Sequence, residues 1–218
     1  MPEFNVIQQF VIWAIPALLA ITLHEVAHGW AALKCGDPTA QMLGRLSLNP
    51  LKHVDPIGTV LLPIALFFFG GFIFGWAKPV PVNPRNFKNP RPNSAWVAFA
   101  GPGANLLMML VWAVVIKLST FLTTSSPTAA VVLLNMGYAG VAVNVILAVI
   151  NLIPIPPLDG SRIVSSCLSP AAERQYSRIE PYGIWIMLLL LVTGALSHFI
   201  GPIIGLINGW VMSLVGFF

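Results

Sequence analysis

Residues 6–33 read VIQQFVIWAIPALLAITLHEVAHGWAAL, an apolar run interrupted chiefly by Gln8, Gln9 and the trio His24, Glu25 and His28. A helix needs about 20 apolar residues to cross a bilayer, and this run is longer than that. On a helix, positions i and i+4 share one face, so His24 and His28 can offer two imidazoles to a single zinc ion. Glu25 sits beside them, where a carboxylate could take a proton from a zinc-activated water. The bland alternative is a short motif arising by chance, with both histidines satisfied by neighbouring helices. In a membrane span that alternative is weak, because an ionisable side chain there costs about 2.5–3.5 kcal/mol or more and seldom lacks a purpose.

Composition points the same way. The chain of 218 residues is 57% hydrophobic and 8% charged, where soluble domains carry about 25% charged residues. Its mean hydropathy is +0.84. A net charge of +4 could suggest nucleic acid, but the basic residues are spread over loops beside apolar runs, and membrane topology explains them better. Cys35 and Cys167 have neither zinc-finger spacing nor a disulfide framework, and free thiols are expected. The first apolar run is too long for a signal h-region and carries the candidate site, which argues against a cleaved signal peptide.

Four spans stand out along the chain: 6–33, 94–118, 131–153 and one beginning at 183. The first ends near Gly36-Asp37-Pro38, a helix-stop cluster. Residues 39–53 alternate loosely and predict a small strand or hairpin at the membrane surface. Residues 57–74 are apolar but broken by Pro63 and Gly70-Gly71, and the proline-rich polar segment 78–93 predicts extended backbone. The expected fold class is an all-α polytopic membrane protein. It would be a bundle of four to six transmembrane helices with a re-entrant segment and a small surface β element. The chain reads as one membrane-embedded domain over 1–218, with a catalytic core at about 6–165 and a C-terminal helical segment at 183–218.

Charge decides the threading. Lys34, Arg45 and Lys52 follow the first span; Lys78, Arg85, Lys88 and Arg91 occupy the 78–93 loop; Arg162, Arg174 and Arg178 follow the 131–153 span. If 57–74 dips in and returns, these ten of the eleven Lys and Arg residues share one face, with Lys117 the exception. Cytoplasmic loops should be the Lys/Arg-rich ones, which favours a re-entrant 57–74 over an ordinary span. The motif Asn151-Leu152-Ile153-Pro154-Ile155-Pro156-Pro157-Leu158-Asp159-Gly160 closes the 131–153 span. Its prolines free backbone groups to face a cavity. With this threading, Asp159 ends on the same side as His24 and His28 and can complete their ligand set. Taken alone, Asp159-Gly160 is only a turn signal.

With these motifs together, the chain resembles the site-2 proteases, intramembrane zinc metalloproteases. The resemblance is carried by His24-Glu25-Val26-Ala27-His28, by Ala100-Gly101-Pro102-Gly103-Ala104-Asn105 and by the Asn151–Gly160 motif, and it covers about residues 6–165. Gly44-Arg45-Leu46-Ser47-Leu48-Asn49-Pro50 and Gly75-Trp76-Ala77-Lys78-Pro79-Val80-Pro81-Val82 look like the compact prokaryotic branch, and a PDZ-like insertion is lacking. The resemblance implies one zinc per chain held by His24, His28 and Asp159, with Glu25 as general base and Asn151 helping to hold the oxyanion. It implies transmembrane-helix proteins as substrates. The place would be a prokaryotic cytoplasmic membrane, with the active site toward the cytoplasm and the lipid bilayer as the other partner.

Several readings stay open. Asn151 could instead make a helix-to-helix hydrogen bond. Asn105 and Asn144 read as packing polar groups. His53 and Asp55 could add ligands, although a surface turn suits them better, and His198 sits where a helix break is expected near residues 198–202. The segment 75–82 or 44–49 could pair with an unwound substrate by strand addition. A zinc transporter would need a polar path to both sides of the membrane, which residues 6–33 offer only at Gln8 and Gln9. A zinc-bound chaperone without protease activity would tolerate the loss of Glu25.

Overall fold

The computed structural model describes residues 4–61, 65 and 75–216. Helix α1 covers Val6–Lys34. It starts at Asn5, whose side chain accepts the Gln8 amide hydrogen while Gln8 Oε1 accepts that of Asn5. This reciprocal capping box satisfies two orphan donors and gives Gln8 a reason to stand in an apolar run. At the other end Lys34 complements the helix dipole and lies over the Trp30 ring, 5.4 Å from its centroid.

A single turn, α2, covers Thr39–Met42. Long helices α3 (Pro90–Phe121) and α4 (Pro127–Asn151) then pack on each other and on α1. Gly137 and Gly140 on α4 permit the close approach: a Cβ at Gly140 would stand 2.2 Å from the Trp112 ring, and one at Gly137 2.5 Å from Ile116. Around this contact lies a core of Met109, Trp112, Ile116, Val141, Val145 and Val211. Short helices α5 (Asp159–Cys167) and α6 (Pro170–Tyr176) follow. The chain closes with α7 (Gly183–Val192) and α8 (Ala195–Val215), the latter packed on α3 and α4. Among the described residues, four helices, α1, α3, α4 and α8, are long and apolar enough to cross a membrane.

Three expectations need correction. Helix α3 begins at Pro90, inside the segment expected to be extended. Pro90 and Pro92 lie in its first turn, where backbone N–H groups have no intrahelical partner to lose. The break in the C-terminal segment falls at Gly194, whose φ of 72° is left-handed. Pro202 lies inside the continuous helix α8. The span expected to begin at 183 is therefore a short helix, α7, and the span-length helix α8 follows it. The expected surface β element is not formed among the described residues, since 39–42 are helical and no strand occurs.

Of the segment 57–74, residues 62–64 and 66–74 lie outside the described residues. Its start is a π-helical turn, Pro56–Leu61. Asp55 Oδ1 caps this turn by accepting the amide hydrogens of Ile57 and Gly58 at 3.0 and 2.7 Å. The two flanks of the segment are hydrogen-bonded together: Trp76 N donates to Gly58 O at 3.1 Å, and Thr59 Oγ1 donates to Trp76 O at 2.8 Å.

Candidate metal centre

His24 and His28 project from α1 one turn apart, and Asp159 is the first residue of α5. Their ligand atoms all lie within 4.8 Å of one another. The two Nε2 atoms are 3.0 Å apart, and Asp159 Oδ2 is 3.2 Å from each. Gly160 explains why α5 can start here. A Cβ at that position would stand 2.3 Å from the Leu152 carbonyl oxygen, so the helix start is seated directly on the end of α4.

The far sides of the two rings test whether the trio suits a metal. His28 Nδ1 is 2.7 Å from the Val97 carbonyl, and His24 Nδ1 is 2.6 Å from Asn105 Oδ1. An oxygen of either kind only accepts, so the neutral rings carry their hydrogen on Nδ1 and present Nε2 lone pairs inward. Asp159 Oδ2 is buried without a hydrogen-bond donor. Three electron-pair donors thus converge with no donor among them, which is unfavourable unless a cation joins them. Two imidazoles and a carboxylate form a donor set used by catalytic zinc, which keeps a further position open. Gly101 on α3 completes the cradle: a Cβ there would come within 2.4 Å of His28 Nε2 and 2.7 Å of His24 Cε1.

Glu25 faces the same cavity, of about 570 Å³, as the three candidate ligands and Asn151. Its Oε2 accepts the Val80 amide hydrogen at 2.7 Å. Residues 75–82 therefore pass over the site as a strap without strand pairing. Gly29 lets the strap approach α1, since a Cβ there would be 2.9 Å from Val80 Cγ1. The strap is braced by Asp37, fully buried beyond the end of α1. Its carboxylate accepts the amide of Asn83 and the side-chain amide of Asn86, both at 2.7 Å, besides the hydroxyl and amide of Thr39. Burial pushes this carboxyl up, but those donors outweigh it and hold the pKa below the ordinary carboxylate value.

Asn151 lines the cavity, and its amide donates to Leu147 O of its own helix at 3.0 Å, not to a neighbouring helix. Its amide carries a second hydrogen that an oxyanion role would use. Asn105, expected to be mere packing, instead touches a candidate ligand directly. The available signal was an amide in an apolar run beside Gly101. His53 is fully buried rather than at a surface turn: its Nε2 lies 2.8 Å from the Ser47 carbonyl, and it is outside the metal cluster. Asp55 serves as a turn cap. His198 lies within α8 with its ring edge-on to Phe199.

Residues 12–194 match the family described as Peptidase family M50. The chain is 37% identical over 191 residues to "Putative zinc metalloprotease YwhC" of Bacillus subtilis, covering 87% of this chain and 84% of that protein. It is 30% identical to "Putative zinc metalloprotease Rip2" of Mycolicibacterium smegmatis, covering 87% and 70%. With the protein of the same name from Mycobacterium tuberculosis it shares 27% identity, covering 94% and 72%. No solved structure matches the chain.

Proposed function

For this chain, which belongs to peptidase family M50, the site-2 proteases, we propose the activity of an intramembrane zinc metalloendopeptidase. It would cut peptide bonds within transmembrane helices of membrane-protein substrates, as regulated intramembrane proteolysis requires. The observation that carries this reading is the convergence of His24, His28 and Asp159 on one point beside Glu25, with both histidines on a span-length helix. His24, His28 and Asp159 would hold the ion. Bound zinc would supply a Lewis acid able to bring the pKa of water to near 7 and to polarise a carbonyl.

The chain's own groups do the rest. Glu25 takes a proton from the water whose oxygen adds to the scissile carbonyl carbon, and returns it to the amide nitrogen as the C–N bond breaks. The Asn151 side chain, at the edge of the same cavity, is the proposed donor to the oxyanion, a contribution typically of about 2.7–4 kcal/mol. Purified wild-type protein is expected to hold one zinc per chain and to lose cleavage of a transmembrane substrate on chelation, with zinc restoring it. His24→Ala, His28→Ala and Asp159→Ala should each lower zinc content. Full zinc content in Asp159→Ala would move the third ligand elsewhere.

The protein is a multi-pass membrane protein. We place it in a prokaryotic cytoplasmic membrane with the site toward the cytoplasm, since Lys and Arg concentrate on cytoplasmic loops. The hydrogen bonds joining residues 58 and 59 to Trp76 support the re-entrant reading of 57–74, because a segment that leaves and returns on one side must bring its flanks together. A reporter fused after residue 125 should read external. Reporters within 80–92 and within 165–178 should both read cytoplasmic, and opposite sides for these two would refute the threading.

A further inference from the structure

A buried polar chain that the proposed chemistry does not use runs across three helices, from α4 through α3 to α1. Asn144 Nδ2 donates to Gly140 O at 2.8 Å. Asn144 Oδ1 accepts from Asn105 Nδ2 at 3.0 Å, and the same Nδ2 donates to Ala20 O at 3.2 Å. Asn105 Oδ1 then lies 2.6 Å from His24 Nδ1. Both asparagines are fully buried.

The two backbone carbonyls fix the direction of this chain. Gly140 O and Ala20 O can only accept, so the NH₂ end of each amide must turn toward them. That turns Asn144 Oδ1 to Asn105, and Asn105 Oδ1 to the ring. Reversing either amide would set oxygen against carbonyl oxygen in a site closed to water, so the assignment follows from satisfaction of buried groups rather than from atom labels. His24 Nδ1 is left to donate, and Nε2 keeps its lone pair for the metal. His28 receives the same service from the backbone carbonyl of Val97, which no side-chain change removes. For His24 the partner is a side chain, and therefore written in the sequence.

We propose that Asn105, oriented by Asn144, is a positioning residue that sets the tautomer and ring rotation of His24 for metal binding. This rests on the metal-site reading above. A purely adhesive role between helices is the competing account. It predicts lost stability without a change in the ring or in metal affinity.

The test uses the full chain in detergent, zinc alone as the probe, competition with a chromophoric chelator, and histidine ¹⁵N spectra of the metal-free protein. Asn105→Leu should weaken zinc binding by about 10–100-fold, the usual effect of losing such an outer partner. It should also remove the Nδ1–H signature of His24 while sparing that of His28. Asn105→Asp, which keeps an acceptor on Nδ1, should bind more tightly than the Leu variant. Asn144→Leu should shift both readouts in the same direction by less, since Ala20 O still holds Asn105. Unchanged affinity and ring spectra in Asn105→Leu overturn the relay, and so do unchanged values in Asn144→Leu should the former not fold. A wild-type protein that binds no zinc overturns the metal site itself, whereas wild-type binding with unchanged variants overturns only the relay.

Discussion

The Glu25→Gln protein is expected to fold, to bind zinc as the wild type does, and to cleave a transmembrane substrate at least 10²–10⁴-fold more slowly, the range typical of a lost acid–base catalyst. Glu25 is not one of the three converging ligands, so its replacement removes no metal donor. Its Oε2 accepts the Val80 N–H at 2.7 Å, and a glutamine carbonyl oxygen can accept that same hydrogen. The strap over the site therefore keeps its anchor. What the amide cannot do is accept the proton of the attacking water, and that deficit falls on the chemical step alone. The measurement pairs cleavage rates in reconstituted vesicles with zinc content and thermal stability. A parallel comparison of membrane-protein fragments in cells carrying each form should show fragments only with the wild type. Comparable cleavage by the variant would take away the base and with it the mechanism. A zinc-holding chaperone would show no functional difference between the two forms.

Helix α1 and its candidate ligand pair were legible because periodicity and spacing are local properties of the chain. Asp159 lies 131 residues beyond His28, and it became legible only through threading, since charge on loops constrains which helix ends share a side. Elements decided by small backbone terms were misread. Proline reads as a helix breaker, yet Pro90 and Pro92 sit where a helix start has no hydrogen bond to lose, and Pro202 is carried inside α8. The left-handed turn at Gly194 ends α7 instead. Residues 39–42 become helical where alternation suggested a strand, because Asp37 accepts both the amide and the hydroxyl of Thr39 just before the turn. The link from Asn105 to His24 and the space left by Gly101 exist only once α1 and α3 are packed; locally they show as no more than an amide and a glycine in one apolar run.

That packing makes Gly101→Ala a single-methyl change expected to damage the site severely. Gly101 is buried on α3, and an added Cβ would come within 2.4 Å of His28 Nε2, 2.6 Å of His28 Cε1 and 2.7 Å of His24 Cε1. Carbon cannot approach ring atoms that closely, so something must move. The rings are poorly placed to yield, because the Nδ1 atoms of His28 and His24 are held at 2.7 and 2.6 Å by Val97 O and Asn105 Oδ1. Either those bonds break or α1 and α3 separate, and overpacking of this kind typically costs about 1–3 kcal/mol. The damage to the site should exceed the damage to the fold, since the displaced atoms belong to the candidate metal donors themselves. Zinc affinity should fall by at least the 10–100-fold seen when a ligand loses its support, and cleavage should fall with it, while helix content by circular dichroism stays near wild type. Gly103→Ala, two residues along the same helix, is the internal control. There the nearest atoms to the new Cβ are those of the Phe99 ring, the first at 3.4 Å, an ordinary contact, and zinc binding should stay within a few-fold. If Gly101→Ala keeps wild-type affinity, the two imidazoles do not stand against α3 as described, and the ligand geometry built on them fails.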